Sequence, residues 1–302
     1  MRYLASIRYI DAVVKAGSIR AAADTLAITS TALNRRILAM EEELGVPIFE
    51  RLAHGVRLSA AGEIYIHHIR NQLSDMERVR SQIADLSGVR RGHVSIACSQ
   101  ALLPYFLPSQ IALYRKEHPN VTFGVHLRDR EAAEHALVDH SADLAIVFEP
   151  VRLTDFMTLI RVRQPVHVVM SPDHPLAARS TVRLSDCVDY PIALPTTAYG
   201  VRHLLDIAMR IAGVRLDPVI QSDNFEFLRN HAVMENILTF QIPIGLSDQT
   251  STGRMVSRPL DGRDVPAGIL YLGQLKGRTL PVAAARFASQ LTNCLASQFE
   301  VS

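Results

Sequence analysis

The chain has 302 residues, of which 48% are hydrophobic and 21% are charged, and its formal net charge is +2. This composition is typical of a soluble globular protein with a sizeable core and room for two or three domains. Three cysteines without a C-x-x-C pair argue against a disulfide scaffold, and no apolar run reaches the ~18 residues of a membrane span.

The charge is unevenly divided along the chain. Residues 1–92 contain 13 Lys or Arg and 10 Asp or Glu, whereas the remainder contains 19 and 20. The modest basic excess therefore lies in the N-terminal third, where a nucleic-acid-binding module would need it. Arg8, Asp11 and Lys15 interrupt the first apolar run, so no signal peptide is predicted. We expect a cytoplasmic protein with reduced cysteines, with a redox role left open for Cys98.

The stretch at residues 17–43 predicts two short helices joined by a tight turn. Ser18 suits the N-cap of the first helix, the turn is Ala-Ile-Thr at 27–29, and Thr29 can cap the second helix. The second helix has a narrow apolar stripe at helical spacing, made of Leu33, Ile37, Met40 and Leu44. Its opposite face holds Thr31, Arg35, Leu38 and Glu42.

Ser30 and Asn34 lie on the flank of the second helix, near its N-terminal end. In a helix-turn-helix, residues at this end contact base edges in the major groove, and Arg, Asn, Ser and Thr can all bond to bases. A preceding helix at residues 3–16 would support the pair. On this pattern alone, an ordinary helical hairpin with a solvated face remains the alternative.

Residues 47–51 and 56–58 predict two short strands around His54-Gly55, a hairpin signal. In a winged module such a hairpin lies beside the second helix, which would place Arg51 and Arg57 near DNA phosphates. Phosphate contacts position a protein but do not read sequence. The alternative for each arginine is a solvated surface charge.

Residues 17–62 resemble the winged helix-turn-helix of LysR-type transcriptional regulators. The matching features are the GS-x-x-x-AA-x-x-L opening, the I-x-x-M-E-E-E-L-G helix end, the P-I-F-x-R strand and the L-S-x-A-G close. The sequence departs from the family at Ser30 and Asn34, where Gln and Ser are usual, which bears on the operator sequence rather than on the module. The resemblance implies that double-stranded DNA is bound by Ser18, Thr29, Ser30, Thr31, Asn34, Arg35, Arg36, Arg51, His54 and Arg57.

A long helix is predicted over residues 60–86, after Ser59 as a capping residue. A helix of about 27 residues would be ~40 Å long. Its apolar stripe follows steps of three and four through Ile66, Ile69, Leu73, Met76, Val79, Ile83 and Leu86. Such a stripe needs a partner, and a second copy of the chain is the simplest one. The resemblance likewise implies a dimerising linker helix and, as the family usually forms tetramers, a dimer of dimers.

Ser87-Gly88 and Arg91-Gly92 mark a boundary, after which strands and helices alternate. We predict strands at 93–98, 121–127 and 143–148 and helices at 102–118 and 131–138. This order indicates an open α/β sheet. The segments LLPYFLPSQIALYRKEHPNV, ADLAI and SPDHPLA, with a final helix near 281–291, resemble the effector-binding domain of the same family.

The resemblance covers nearly the whole chain and implies a fold of two lobes like periplasmic binding proteins. The implied domains are 1–59 for the all-α winged helix-turn-helix, 60–88 for the linker helix and 89–302 for the effector domain. Lobe one would use 89–163 and 268–302, and lobe two 164–267. Asn236 stands where the family has a Gly-rich loop, and Asn tolerates a positive φ.

Ligands of open α/β sheets bind outside the carboxyl ends of strands, near helix N-termini. The residues at such positions are Ser99, Gln100, Phe148, Thr196, Thr197, Ser222 and Asp223. The hydroxyl and amide groups at Ser99 suit an anion such as a carboxylate. By resemblance these residues converge on the cleft between lobes, although each could be an ordinary cap or turn. The sequence does not identify the small-molecule effector.

An enzyme is the competing class, but the common nucleophile, phosphate-loop, zinc and dinucleotide motifs are absent from the sequence. Glu131 and His135 lie one helical turn apart, yet no third metal ligand converges by spacing, so neither a metal nor a cofactor is predicted. A DNA-binding architectural protein whose C-terminal domain only mediates assembly is the runner-up. For a regulator, RNA polymerase is a further implied partner.

Overall fold

A computed structural model describes residues 2–86, 91–246 and 253–302 of the chain. The chain divides into two compact units, Met1–Ile83 and Ala84–Ser302. The predicted boundary at Ser87-Gly88 lies outside the described residues. Within the described ranges, no helix combines the length and the apolar character that crossing a bilayer requires.

The first unit is a three-helix module with a hairpin and a long final helix. Its elements are α1 (Arg2–Ala16), α2 (Ile19–Thr25), α3 (Ser30–Leu44), β1 (Phe49–Leu52), β2 (Gly55–Leu58) and α4 (Ala60–Leu86). Thr29 caps α3, as predicted, because its Oγ1 accepts a hydrogen bond from the Ala32 amide at 3.2 Å. Ser59 caps α4 in the same way, with its Oγ 2.9 Å from the Gly62 amide.

The core of this unit forms where α1, α2, α3 and α4 meet. Its fully or nearly buried members include Ile7, Ile10, Val13, Ala22, Ala23, Leu33, Ile37 and Met40. The prediction that Leu44 belongs to the same buried stripe is wrong, since its side chain is 41% exposed. Leu44 is the last residue of α3, and the chain turns away at Gly45.

The apolar stripe predicted along α4 divides into two parts. Ile66 and Ile69 are buried in the core of the helix-turn-helix unit, and Leu73 packs against that core. Val79 and Ile83 are instead 40% and 57% exposed, and the side chain of Leu86 lies outside the described part. The expectation that the whole stripe faces a second copy is therefore wrong for its first half, which the chain covers itself.

The second unit contains two α/β lobes. In chain order its elements are β3 (Gly92–Cys98), α5 (Phe106–Glu117), β4 (Val121–Leu127), α6 (Arg130–Val138), β5 (Leu144–Phe148), β6 (Phe156–Gln164), β7 (His167–Met170), β8 (Ile192–Pro195), α7 (Gly200–Ala212), β9 (Pro218–Ser222), α8 (Phe225–Glu235), β10 (Thr239–Gln241), β11 (Val256–Pro259), β12 (Gly268–Leu275) and α9 (Val282–Gln298).

Lobe one is built on a five-stranded sheet of order β4-β3-β5-β12-β6. Strands β4, β3 and β5 are parallel, whereas β12 returns from the end of the chain and pairs antiparallel with β5 and β6. Lobe two has an antiparallel group β10-β7-β11 and a parallel pair β8-β9, which a bridge between Ile192 and Leu238 connects. The chain therefore passes between the lobes twice, after β6 and before β12, and the predicted two-lobed fold class is confirmed.

The helix predicted at 102–118 begins later than expected. Residues Gln100–Leu102 form a 3-10 turn, and α5 starts only at Phe106. Pro104 has no N–H to continue the turn, whereas Pro108 lies in the first turn of α5, where a missing N–H is harmless. The expectation for Asn236 is confirmed, because this residue ends α8 with a φ of 53°.

Candidate functional site

The outward face of α3 is polar along its N-terminal half. Thr31, Arg35, Leu38 and Glu42 are all exposed, as predicted. Ser30 begins the helix and is exposed beside Thr29. Arg35 has no hydrogen-bond or ion-pair partner within the described residues, so its guanidinium is available to a base edge.

Ser18 occupies the N-cap position of α2, with a φ of −154° and a ψ of 132°. Its side chain makes no capping hydrogen bond, so the predicted stabilisation of α2 by this hydroxyl is not found. Backbone bonds begin the helix instead, with the Ala22 amide 3.0 Å from the Ser18 carbonyl. The half-buried Ser18 remains a candidate for a phosphate contact.

The β1–β2 hairpin is held against both α1 and α3. The Glu41 carboxylate of α3 accepts hydrogen bonds from the Ile48 and Phe49 amides at 2.7 and 3.0 Å. The Val56 amide donates to the carbonyl of Gly17 at 3.0 Å. These contacts fix where the hairpin lies relative to the second helix, and they leave His54 exposed in the turn between β1 and β2.

The other predicted arginines have partners within the unit. Arg51 Nη2 donates to Asn34 Oδ1 at 3.0 Å. This bond joins the hairpin to α3 at Asn34, one of the two positions where the sequence departs from the family pattern. Arg57 forms an exposed ion pair with Glu50 at 2.6 Å across the hairpin. The Arg36 guanidinium lies 5.0 Å from the centre of the Tyr9 ring, which holds it toward α1.

A second candidate site lies between the lobes, where Ser99 and Gln100 follow β3. The Ser99 amide bonds to Ile146 O at 3.2 Å, whereas its buried Oγ has no hydrogen-bond partner in the described ranges. Gln100 connects the lobes: its Nε2 is 3.1 Å from Tyr199 Oη, and its Oε1 accepts a bond from the Phe225 amide at 2.9 Å. Gln100 therefore joins the two lobes through both polar atoms of its side chain, and we call this pair of bonds the inter-lobe latch.

Phe148 fills the space between the lobes. Its ring is 3% exposed and packs against two glycines. A Cβ at Gly200 would lie 2.8 Å from Phe148 Cδ1, and one at Gly268 would overlap the end of the ring. The remaining cavity, lined by Ser99, Phe148 and Phe225 among others, has a volume of about 10 Å³. Since this is about the space of one water molecule, the cleft is closed.

Sequence analysis missed the basic residues of this cleft. Arg128 and Arg130 follow β4, and both line the cavity together with Tyr199. Arg130 Nε donates to the carbonyl of Glu149. Burial lowers the pKa of Arg130, and Glu149 and Glu134 act in the opposite direction. Applying the carboxyl-end rule to β4, as was done for β3, would have found both arginines.

The remaining predicted residues lie at the ends of β8 and β9. The Thr196 amide donates to Ser222 O at 3.2 Å, which brings these two residues together. The Ser222 hydroxyl accepts a bond from the Asn224 amide at 3.0 Å, an ordinary turn contact. Thr197 and Asp223 are exposed. Burial raises the pKa of Tyr199, and Asp223 raises it further, which places this carboxylate near the latch.

Two weaker candidates do not gain support. Cys98 is fully buried, and burial raises the pKa of its thiol to about 12, so the reactive thiolate is scarce at neutral pH. Glu131 and His135 line a separate cavity of about 320 Å³ on lobe one. Across the described part of the chain, no three metal-binding side chains come together.

Two family models match the chain. Residues 4–63 match the model for bacterial regulatory helix-turn-helix proteins of the lysR family, and residues 87–295 match the LysR substrate binding domain. A curated relative, the RuBisCO operon transcriptional regulator of Allochromatium vinosum, is 25% identical over 292 residues. The match covers 94% of this chain and 93% of the relative.

Solved structures of full-length proteins share the fold. A variant of OxyR from Pseudomonas aeruginosa matches with a TM-score of 0.73 and 20% identity, covering 96% of this chain and 97% of that chain. Full-length CbnR in complex with its target DNA matches with a TM-score of 0.54 and 17% identity, covering 96% and 98%. At these identities the likeness concerns the fold alone.

Proposed function

Because the chain belongs to the LysR family of bacterial regulatory helix-turn-helix proteins, we propose that it binds operator DNA through α3 and the β1–β2 hairpin and that a small anionic effector controls this activity. The protein is a transcriptional regulator and not an enzyme. We propose residues 1–59 as the DNA-binding domain, 60–88 as the linker and 89–302 as the effector domain.

The observation that carries the proposal is the exposed polar face of α3 beside a hairpin that bears two arginines. Ser30, Thr31 and Arg35 are proposed to contact base edges, since they lie on the exposed N-terminal half of the helix. Arg51 and Arg57 are proposed to contact phosphates. Further contacts to the DNA backbone are proposed for Ser18, Thr29, Arg36 and His54. Asn34 is also proposed to contact DNA, and its hydrogen bond with Arg51 holds these two side chains together.

The proposed oligomer forms through the distal half of α4. Val79 and Ile83 are exposed there, and Met76 is half-buried, whereas the proximal half of the stripe is covered by the same chain. A second copy of α4 would bury these side chains and bring two DNA modules together. We propose a dimer of dimers, in which paired modules bind half-sites about one helical turn apart or at a multiple of that distance.

The effector is proposed to enter the cleft at Ser99. A buried hydroxyl without a partner and two nearby arginines, Arg128 and Arg130, suit a carboxylate. The closed cavity has no room for such a molecule, so the contacts of Gln100 must open first. An effector shifts the lobes only to the extent that it binds one arrangement more tightly than the other.

A regulator acts at promoters, so we further propose RNA polymerase as a partner and the cytoplasm as the location. The competing view, an architectural protein without a ligand, has no support from the relatives, which are transcriptional regulators. Ligand-dependent stability distinguishes the two views, because a ligand that binds the folded protein raises its melting temperature.

The proposal is tested by genome-wide footprinting followed by titration of the purified protein on the recovered operator. We expect preference for this DNA over a random duplex at the same salt concentration. Carboxylates suggested by the neighbouring operons should then change operator binding and raise the melting temperature. Equal affinity for operator and random DNA would contradict the assignment of α3, and a failure of every carboxylate would contradict only the assignment of the cleft.

A further inference from the structure

Arg229 is the largest fully buried side chain among the described residues, with 1% of its surface exposed. It lies on α8 of lobe two, one turn beyond Phe225. Its Nη1 donates to the carbonyl of Gly245 at 2.6 Å, and its guanidinium lies 5.8 Å from the centre of the Tyr105 ring of lobe one. Among the described residues, its buried Nε and Nη2 have no hydrogen-bond acceptor of good geometry.

These two nitrogens form the edge of a guanidinium that binds planar anions. Arg183 uses the same edge in this protein: its Nε and Nη2 bind the two carboxylate oxygens of Asp264, each at 2.7 Å. Such bidentate pairing is a strong form of charge-assisted hydrogen bonding. In Arg229 the corresponding edge is buried, and no carboxylate of residues 2–86, 91–246 and 253–302 binds it.

No carboxylate in the described ranges forms an ion pair with Arg229. Glu226 lies on the same helix but is exposed. Burial lowers the pKa of Arg229, while Tyr105 and Glu226 raise it by smaller amounts. A buried cation without a counter-charge is costly, so such a group is expected to have a compensating anion.

The surroundings of Arg229 also contain an excess of donors. Gln164, which ends β6, accepts a bond from the Ile244 amide at 3.1 Å, but its buried Nε2 has no partner in the part of the chain that the structure describes. Gln241 Nε2 lies 3.3 Å from the same Gly245 carbonyl that Arg229 contacts. Three buried side chains, Gln164, Arg229 and Gln241, thus converge on the turn Pro243–Gly245, and the unfilled groups among them are N–H donors.

We propose that this turn is a second anion site, in which the Nε–Nη2 edge of Arg229 holds a small carboxylate or an inorganic oxyanion. The site goes beyond the proposed function, because Arg229 is not among the residues that line the cavity at Ser99 and because anion binding at Arg229 does not depend on DNA binding. Since Arg229 belongs to lobe two and Tyr105 to lobe one, a bound anion stabilises the contact between the lobes near Gln164, where the chain passes from lobe one to lobe two.

The experiment measures the melting midpoint of the full-length protein at constant ionic strength while sodium chloride is replaced by sodium formate or by sodium sulfate. Above the dissociation constant, we expect the wild-type melting midpoint to rise by about 3–6 °C for each tenfold increase in the free concentration of the anion. The anion with the larger response identifies the source as carboxylate or oxyanion. Arg229→Met fills the same volume without charge and should lose the response.

A matched control separates this site from other arginines of the same lobe. Arg202→Met removes an arginine of lobe two whose Nε is already 2.7 Å from Asp206, and it should keep the response. Sulfate stabilises proteins in general by exclusion from their surface, so only the difference between wild type and Arg229→Met counts.

Crystals of the wild-type protein soaked in selenate give a second measurement that does not depend on the folding of a variant. Anomalous density beside Nε and Nη2 of Arg229 is the expected result. Equal responses of wild type and Arg229→Met to both anions would overturn the proposal. Where sulfate gives the larger response, the absence of selenate density at this edge would also overturn it.

Discussion

Arg35 and Arg51 lie on neighbouring elements of the DNA-binding unit, but their surroundings differ. Arg35 lies on the outward face of α3 and has no partner among the described residues, whereas Arg51 is bonded to Asn34. We expect Arg35→Ala to reduce discrimination between operator and random DNA by about 1–3 kcal/mol, because it removes the proposed base contact. Arg51→Ala should weaken both complexes alike and lower the slope of log affinity against log salt by about one. Binding isotherms at several salt concentrations measure both effects.

The matched control is Arg210→Ala, which removes an exposed arginine from lobe two. It should leave the salt slope and the operator preference at their wild-type values. If Arg35→Ala keeps the specificity ratio unchanged, Arg35 does not contact a base, and Asn34 becomes the residue to test next.

Ser99 gives a prediction for the cleft. Ser99→Ala removes the proposed hydrogen bond to an effector oxygen, worth about 0.5–1.5 kcal/mol, and should raise the effector concentration at half-response several-fold. Operator affinity without effector should not change, because the substitution is confined to the effector domain. Titration of effector against operator binding is the measurement, with Ser289→Ala on the exposed side of α9 as the control.

An unchanged midpoint for Ser99→Ala would remove this hydroxyl from the ligand site. Loss of operator binding in the absence of effector would indicate a structural role for Ser99 instead.

Among the elements, α4 carries the prediction on assembly. Val79→Asp with Ile83→Asp should disrupt the oligomer and leave the helix-turn-helix unit folded, since both side chains are exposed in the single chain. Ile69→Asp is the contrasting variant and should unfold that unit, because Ile69 is fully buried in its core. Sedimentation velocity measures assembly, and thermal melting measures folding. A double variant that sediments like wild type would exclude the distal half of α4 as the interface.

The bounds of α4 were predictable from the sequence, but the use of its two halves was not. Steps of three and four identify an apolar face, and they carry no information about which neighbour covers it. Ile66 and Ile69 have the same pattern as Val79 and Ile83, yet the first pair lies in the core of its own unit and the second pair is exposed. Tertiary packing decides this difference.

The candidate sites were predictable to unequal degrees. The outward face of α3 follows from helical geometry alone, so Thr31, Arg35 and Glu42 were placed correctly. The cleft depends on contacts between residues far apart in the chain. Gln100 bonds to Tyr199 and Phe225, which lie about a hundred residues away in the chain. The local sequence around Gln100 therefore does not predict these bonds.

At the scale of the whole effector domain, Gln100 determines how firmly the lobes are joined. Gln100→Ala removes two inter-lobe hydrogen bonds and should favour the open arrangement by about 1–3 kcal/mol. An effector that needs the open form should then bind more tightly, since less free energy is spent on opening. Hydrogen exchange at the Phe225 amide reports the opening directly.

The control for this prediction is Gln221→Ala, an exposed glutamine on β9. It should leave both the exchange rate and the effector affinity unchanged. Continued protection of the Phe225 amide in Gln100→Ala would show that other contacts hold the lobes together.

The packing of Phe148 between Gly200 and Gly268 has a consequence for biosensor engineering. Removing the ring of Phe148 would enlarge the cavity of about 10 Å³ into a pocket that accepts a ring-sized molecule. Truncating such a buried ring costs about 3–5 kcal/mol of stability when the space stays empty. A ring-shaped inducer that fills the space restores part of this loss. Substitutions of Phe148 are therefore expected to change both the size of inducer that fits and the thermal stability of the protein. A screen of such variants for new inducers has to measure both properties.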